Sequence, residues 1–175
     1  GLFGTAPDVT ERRRADEEVR ESERLRRLII DTDPECVKLV SPEGRLLEMN
    51  PAGLSMLEAD TLEQAQACSL IEYIAPEHRA AFGALHGRVM AGESGTLEFE
   101  VIGLKGARRW LETRAVPLRN QAGAVTALLG VTRDVTERRA QQERIDRLSR
   151  MRRVIGGISA LLVALGADTS GGVAV

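Results

Sequence analysis

TLEFEVIG (residues 96–103), RWLETRAVP (109–117) and VTALLGVTR (125–133) are the segments that decide the fold. In the first segment Leu97, Phe99 and Val101 share one face, and in the second Leu111, Thr113 and Ala115 do, which is typical of a β-strand with one buried face. The third segment ends just before a repeated Asp-Val-Thr. The connections at Lys105-Gly106 and at residues 120–123 (NQAG) contain turn residues that suit antiparallel hairpins. The sequence therefore predicts three consecutive antiparallel strands in its second half.

Two more strands and several helices are predicted upstream. CVKLVSPEGRLLEM (36–49) has the pattern of a strand, a turn and a return strand. Short helices are expected after the capping residues Asn50 and Thr61, and a longer helix between Pro76 and Gly92. Strands segregated from helices in this way predict an α+β fold, with helices on one face of a five-stranded antiparallel sheet.

Charge-rich segments flank this region and repeat one another. DVTERR occurs at residues 8–13 and again at 134–139, and RLRRLI (24–29) matches RMRRVI (150–155) in the same register. Two blocks matched at one offset indicate a domain-sized unit used in series, so we expect the chain to be cut from a longer protein.

The repeat sets the expected boundaries. We predict the tail of a preceding unit, a helical linker, the folded core, a second helical linker continuous from Thr136 to at least Arg153, and an irregular tail. These correspond to residues 1–10, 11–30, 31–134, 135–165 and 166–175. Val19, Leu25 and Ile29 give the first linker a thin apolar line, which fits a solvent-exposed helix or a short coiled coil equally well.

Composition excludes several classes of protein. With 24 Lys+Arg, 26 Asp+Glu and 3% aromatic residues, the chain lacks the basic charge and stacking surfaces of a nucleic-acid-binding module. Its two cysteines form no CxxC pair, so we expect no zinc site and a reducing compartment. The start of the chain has no signal-peptide pattern, and Val154–Leu165 is too short to span a membrane, so we expect a cytoplasmic protein.

Four segments together resemble the PAS (Per-Arnt-Sim) sensory domain. They are GRLLEMNPA (44–52), SLIEYIAPEHR (69–79), RWLE with PLRNQAG (109–112 and 117–123), and GVTRDVTER (130–138). The resemblance covers roughly residues 28–139 and implies a PAS fold flanked by N- and C-terminal signalling helices. It implies a sensor in a signal-transduction protein, such as a bacterial-type two-component system, whereas the ligand differs among members and has to be argued at the site.

The sequence offers no catalytic constellation. No nucleophile lies in a recognisable motif with a base, and no glycine-rich phosphate loop is present. We therefore expect a non-enzymatic module that relays conformational change through its flanking helices to an effector outside this chain. The alternative from a different class is a ligand-free dimerisation spacer. A third possibility is a sensor loaded with haem or flavin.

The inward faces of the last three strands are the candidate ligand pocket. Only two of these residues are polar, and both carry hydroxyls, so a charged metabolite would lack a counter-charge. We expect either a pocket filled by its own side chains or a site for a small apolar ligand. The candidate residues are Leu97, Phe99, Val101, Leu111, Thr113, Ala115, Leu128 and Thr132.

Two residues bear on a cofactor, and we expect none to be bound. His86 is a weak candidate for a haem ligand, because the resemblance places the family's haem position near Ala81 or Phe82 instead. Cys68 is not in the sequence context of the flavin-reactive cysteine of light-sensing relatives, and Thr132 stands where a flavin-contacting Gln is expected.

Two further features, an outward apolar patch and the residues before the exit helix, concern how a signal would leave the domain. Trp110, Val116, Leu129 and Val131 are predicted to face outward, forming an apolar patch that a flanking helix or a second subunit should cover. Together with the flanking helices, this patch predicts a homodimer. Asp134 and Thr136, between the last strand and the exit helix, are the candidate signal-coupling residues, with Arg133, Arg138 and Arg139 nearby to pair with Asp134. The alternative is that they form an ordinary helix cap.

Overall fold

The computed structural model describes residues 9–168 and confirms the α+β fold. The strands are β1 (Cys36–Val40), β2 (Leu46–Met49), β3 (Gly95–Ile102), β4 (Arg108–Arg119) and β5 (Val125–Asp134). They form one antiparallel sheet in the order β2-β1-β5-β4-β3, which places β5 at its centre.

The helices of the core lie between β2 and β3 in the sequence. They are α2 (Pro51–Met56), α3 (Leu62–Gln66) and α4 (Arg79–Met90), with 3₁₀ turns at Leu70–Glu72 and Pro76–His78. As predicted, the side chain of Asn50 caps α2 and that of Thr61 caps α3. The buried residues of these helices pack against the inner face of the sheet and form the hydrophobic core.

The helix predicted from Pro76 begins instead as a 3₁₀ turn. The preceding backbone is held at the edge of the sheet, where Ala75 N donates to Glu100 O and Ile102 N donates to Tyr73 O. Regular α-helical geometry starts only at Arg79, once the chain has left this edge. Short 3₁₀ segments are common at such helix starts.

Both flanking helices are longer than predicted. Helix α1 runs from Val9 to Thr32, so it includes two residues assigned from sequence to a preceding unit. Helix α5 runs from Thr136 to Asp168 through Gly156-Gly157, so residues 166–168 are helical rather than irregular. A glycine inside a helix costs only about 1 kcal/mol and keeps its hydrogen bonds, so the pair does not end the helix. The rest of the predicted tail, residues 169–175, lies outside the described residues.

The described residues divide into two compact units. One unit ends at Asp134 and contains α1 and the sheet with its helices, and the other begins at Val135 and consists of α5. The pocket and the surroundings of β1 all belong to the first unit.

Candidate ligand pocket and helix joints

The sheet brings the predicted pocket residues onto one face, around two small voids. Phe99, Val101, Leu111 and Thr132 line the first void, and Thr113, Ala115 and Leu128 line the second. Leu97 lines neither and instead packs against the core.

Side chains from the helices fill most of the space between them and the sheet. The first void has a volume of about 20 Å³ and the second about 10 Å³, each of which is room for about one water molecule. Phe82 of α4 meets Phe99 of β3 edge to face, with ring centroids 5.1 Å apart. In this conformation the pocket is closed around its own side chains.

Lys38 lines both voids and was not among the residues predicted for this site, which all came from β3, β4 and β5. Its side chain points inward from β1 and is only 6% exposed. The Nζ atom donates a hydrogen bond to Thr132 Oγ1 at 2.5 Å, and Thr132 Oγ1 lies 2.7 Å from Thr113 Oγ1. The expectation of a pocket without a cation, which considered only β3, β4 and β5, is therefore wrong.

Strand pairing explains why a lysine fits here. Lys38 lies opposite Gly130 of β5, and a Cβ atom placed on Gly130 would be 3.3 Å from Lys38 Cε and 3.4 Å from Cγ. That separation is tighter than an ordinary van der Waals contact, so the missing Cβ makes room for the aliphatic stem of the lysine. Cys36 and Val40 share the buried face with Lys38, but the sequence gives no signal for this face, because Val37 and Leu39 on the other face are equally apolar.

His86 borders the second void, and one of its ring nitrogens faces a backbone carbonyl. Its Nε2 lies 3.0 Å from the carbonyl oxygen of Ser41. A carbonyl only accepts, so Nε2 carries the proton and has no lone pair for a metal. The void beside it is far smaller than a haem. Among residues 9–168, no group of three or more His, Cys, Asp or Glu side chains could hold a metal ion.

Cys68 lies beside the core and lines neither void. Its neighbour is Tyr73, whose hydroxyl donates to the carbonyl oxygen of Ala65 at 3.2 Å. Burial raises the pKa of the Tyr73 phenol, and the Cys68 thiol raises it further. Tyr73 belongs to the hydrophobic core and also lines the first void, whereas Cys68 only packs against the core.

Asn50 forms the N-terminal joint, where α1 meets the sheet. Its Oδ1 accepts from Val37 N at 3.0 Å and from Gly53 N at 3.1 Å. Its Nδ2 donates to Ile30 O at 2.9 Å and to Glu35 O at 2.8 Å. One side chain, only 3% exposed, thus connects the last turn of α1, strand β1 and the start of α2. The sequence showed only the capping role.

Arg109 and Asp134 form the C-terminal joint. Arg109 Nη1 lies 3.1 Å from Asp134 Oδ2, and the two side chains are 37% and 29% exposed. The partner on β4 was not suggested by the sequence, which pointed to neighbouring arginines. Among the described residues, Arg109 Nε is the one buried side-chain nitrogen or oxygen that has no hydrogen-bond partner. Thr136 begins α5, as predicted.

One of the neighbouring arginines pairs elsewhere. Arg133 Nη2 lies 2.6 Å from Glu35 Oε1, which joins the end of β5 to the residue before β1. The hydrogen bond to Glu35 raises the pKa of the Arg133 guanidinium. Cys36 pairs with Thr132, so the residues next to them, Glu35 and Arg133, are neighbours at the ends of β1 and β5. This exposed ion pair therefore lies between the N-terminal and C-terminal joints.

The outward residues do not form a single patch. Val116 pairs with Leu129, and β1 extends this surface because Leu39 pairs with Leu129 and Val37 with Val131. Trp110 lies further along β4, opposite Glu100 of β3, and its ring contacts that of His78 edge to face at 5.1 Å. The 3₁₀ turn before α4 therefore covers part of Trp110, where a flanking helix or a second subunit was expected.

Comparison with known proteins identifies the family to which this fold belongs. A family model described as the PAS fold matches residues 30–140, and the chain belongs to this family. No curated protein matches the chain closely enough to count as a relative. Among the described residues, no helix combines the length and apolar character needed to cross a membrane.

Solved structures show the same fold at low identity. The PAS domain of an HTR-like protein from Haloarcula marismortui has a TM-score of 0.60 at 14% identity, over 70% of this chain and 98% of that one. A sensory box histidine kinase/response regulator from Burkholderia thailandensis has a TM-score of 0.54 at 22% identity, over 71% and 94%. The N-terminal domain of a diguanylate cyclase with a PAS/PAC sensor from Marinobacter aquaeolei has a TM-score of 0.51 at 14% identity, over 60% and 98%.

Proposed function

We propose that this chain is a non-catalytic sensory relay module that works in the cytoplasm within a longer bacterial-type signalling protein. Membership of the PAS family supports the sensory role. Structural neighbours named as parts of a histidine kinase/response regulator and a diguanylate cyclase support an effector elsewhere in the longer protein. The boundaries inferred from the repeat, with a core at 31–134 between helical linkers, belong to this proposal.

One observation carries the relay. Thr132 accepts the hydrogen bond of Lys38 inside the pocket, and Asp134 follows two residues later on the same face of β5. Asp134 is also the last residue of that strand, and α5 begins at Thr136. A change at the pocket that shifts β5 therefore reaches the Arg109–Asp134 pair two positions further along the strand and, after Val135, the start of α5.

The test is Asp134→Ala. We expect a change of output in the complete signalling protein, and in this chain faster amide hydrogen exchange in the first turns of α5. The free energy of unfolding should fall by only about 1 kcal/mol, because the ion pair is partly exposed. Asp60→Ala is the matched control, since Asp60 pairs with Lys105 at 3.5 Å on the surface. Unchanged output and exchange would reduce Asp134 to a stabilising surface residue.

We further propose that the module forms a homodimer through its flanking helices, as a short coiled coil, with help from the outer sheet face. Apolar side chains more than half exposed line both helices: Val19, Leu25, Leu28 and Ile29 on α1, and Ile145, Leu148, Met151, Val154, Ile155 and Ile158 on α5. A second copy would bury them without a foreign partner. Sedimentation equilibrium should give a dimer that Leu148→Glu weakens, and a wild-type monomer at high concentration would overturn this interface.

The closed pocket favours a second candidate function, a dimerisation spacer without a ligand. Voids of about 20 and 10 Å³ hold no metabolite unless the helices move. A spacer and a sensor differ in one measurement, because only the sensor changes its melting temperature when small molecules are added.

A further inference from the structure

Lys38 carries a charge that no described residue of the chain neutralises. It makes no ion pair with any residue in the described part of the chain, and its one hydrogen bond is to Thr132. A protonated ammonium has three donors, so two of them lack a protein acceptor. Buried charges are normally paired, which makes this side chain the most unusual feature of the core.

The hydroxyls around Lys38 cannot replace a counter-ion. Thr132 accepts from Lys38 and also hydrogen-bonds Thr113, whose Oγ1 lies 3.4 Å from the carbonyl oxygen of Val131. These groups are dipoles without net charge, so they solvate the ammonium only in part. A small anion beside Nζ would accept the remaining donors and balance the charge.

The walls around this charge are apolar. The first void, beside Lys38 and Thr132, is also lined by Met49, Met56 and Phe82. One cation matches one negative charge, and an apolar lining matches a hydrocarbon body. Methionine side chains are flexible and polarisable, so the two at this void can rearrange around a ligand larger than the present space.

We propose that Lys38 and Thr132 bind the carboxylate of a small organic monoanion whose apolar body inserts between β1, α2 and α4. The ammonium pairs with one carboxylate oxygen, and Thr132 stays within hydrogen-bonding reach of the head group. This proposal specifies the ligand class of the proposed sensory pocket, and it rests on the proposed sensory function. It replaces the neutral apolar ligand expected from sequence with an anionic one.

The test is a ligand series in which charge and hydrocarbon length vary separately. Formate, acetate, butyrate and hexanoate are compared with butyramide and with chloride, using melting temperature and calorimetric titration of the wild-type chain. We expect butyrate or hexanoate to raise the melting temperature. Butyramide should have no effect, because it lacks the charge, and chloride should have little, because it lacks the apolar body. Equal responses to chloride and butyrate, or none to any carboxylate, would overturn the proposal.

The variants assign the effect to Lys38. Lys38→Met keeps the length of the side chain without the charge, and it should weaken carboxylate binding by roughly 30-fold or more. Lys105→Met is the matched control, because Lys105 is the other lysine of the chain and is exposed. Carboxylate binding unchanged in Lys38→Met would overturn the site.

A second variant tests the hydroxyl and does not depend on how Lys38→Met folds. Thr132→Val removes the one acceptor of Lys38 and a hydroxyl that contacts the head group, and it nearly keeps the volume. It should therefore lower the melting temperature without ligand and give a smaller upward shift with butyrate than the wild type. No such difference from the wild type would overturn the role of Thr132. Binding is measured in the isolated chain. A negative result would therefore exclude the anionic ligand, while the relay would still be tested by Asp134→Ala.

Discussion

The two joints of this molecule are built from opposite kinds of interaction. At the N-terminal joint, neutral Asn50 uses both atoms of its amide group in four short hydrogen bonds and is almost completely buried. At the C-terminal joint, Arg109 and Asp134 form a partly exposed ion pair, and Arg109 Nε has no partner.

This difference predicts different mechanical roles for the N-terminal and the C-terminal joint. Breaking a buried and fully satisfied amide leaves several backbone groups without partners, so the N-terminal joint has one stable arrangement. A partly hydrated ion pair exchanges its contacts for water at little cost, so the C-terminal joint can take up two arrangements. We infer that only the last turn of α1 is held firmly, at its contact with β1 and α2, and that the readout is at the end of β5.

Asn50→Ala should have the largest effect on stability. It leaves two backbone amides and two carbonyls without partners, and we expect a loss of about 3 kcal/mol in the free energy of unfolding. Urea denaturation measures it. Asn120→Ala is the control, because Asn120 accepts from Ala124 N in an exposed turn. It should cost about 1 kcal/mol or less, and equal losses in the two variants would remove the contrast between the joints.

Arg109→Met should have a smaller effect. It removes the ion pair but also a buried nitrogen that has no hydrogen-bond partner, so the two changes oppose each other and the net effect should stay within about 1 kcal/mol. Output should nevertheless change as it does in Asp134→Ala, because both variants break the same pair. A double-mutant cycle measures the coupling. A loss as large as that of Asn50→Ala would show that the C-terminal joint is as rigid as the N-terminal one.

Glu35→Gln should have the smallest effect. The pair with Arg133 is exposed on the arginine side, so we expect a loss of about 0.5 kcal/mol that shrinks in high salt. Comparing urea midpoints at two salt concentrations checks this, with Glu48→Gln on the neighbouring β2 as the control. If salt did not alter the difference, the pair would be contributing through geometry and not through charge.

Much of the fold could be predicted because its signals are local. The strands at 96–103, 109–117 and 125–133 were found within a few residues of their observed bounds, because alternation depends only on neighbours in the sequence. The caps at Asn50 and Thr61 were found for the same reason. Helix α1 extends two residues beyond its predicted bounds at each end, and α5 ends three residues later than predicted, because helix ends fray and leave no sharp local signal.

The candidate site was harder to predict from the sequence, because its main features are contacts between residues that are far apart in the sequence. Lys38 and Thr132 are 94 positions apart, and Arg109 and Asp134 are 25 apart. The hydroxyls and apolar side chains of the pocket could be found from the alternation of β3, β4 and β5. The contact of Trp110 with His78 depends on where the chain passes the edge of β3, which no local pattern shows.

By itself, the sequence determined the order of the elements, the faces of the last three strands, the helical flanks and the capping role of Asn50. Only the tertiary structure decided which face of CVKLV (36–40) is buried, because Val37 and Leu39 are as apolar as Cys36 and Val40. The pairing of Lys38 with Gly130 resolves this, because the absence of a Cβ there leaves space for the lysine stem. A shift of one residue would turn Lys38 toward the outer face, so the charge in the pocket is a property of strand register.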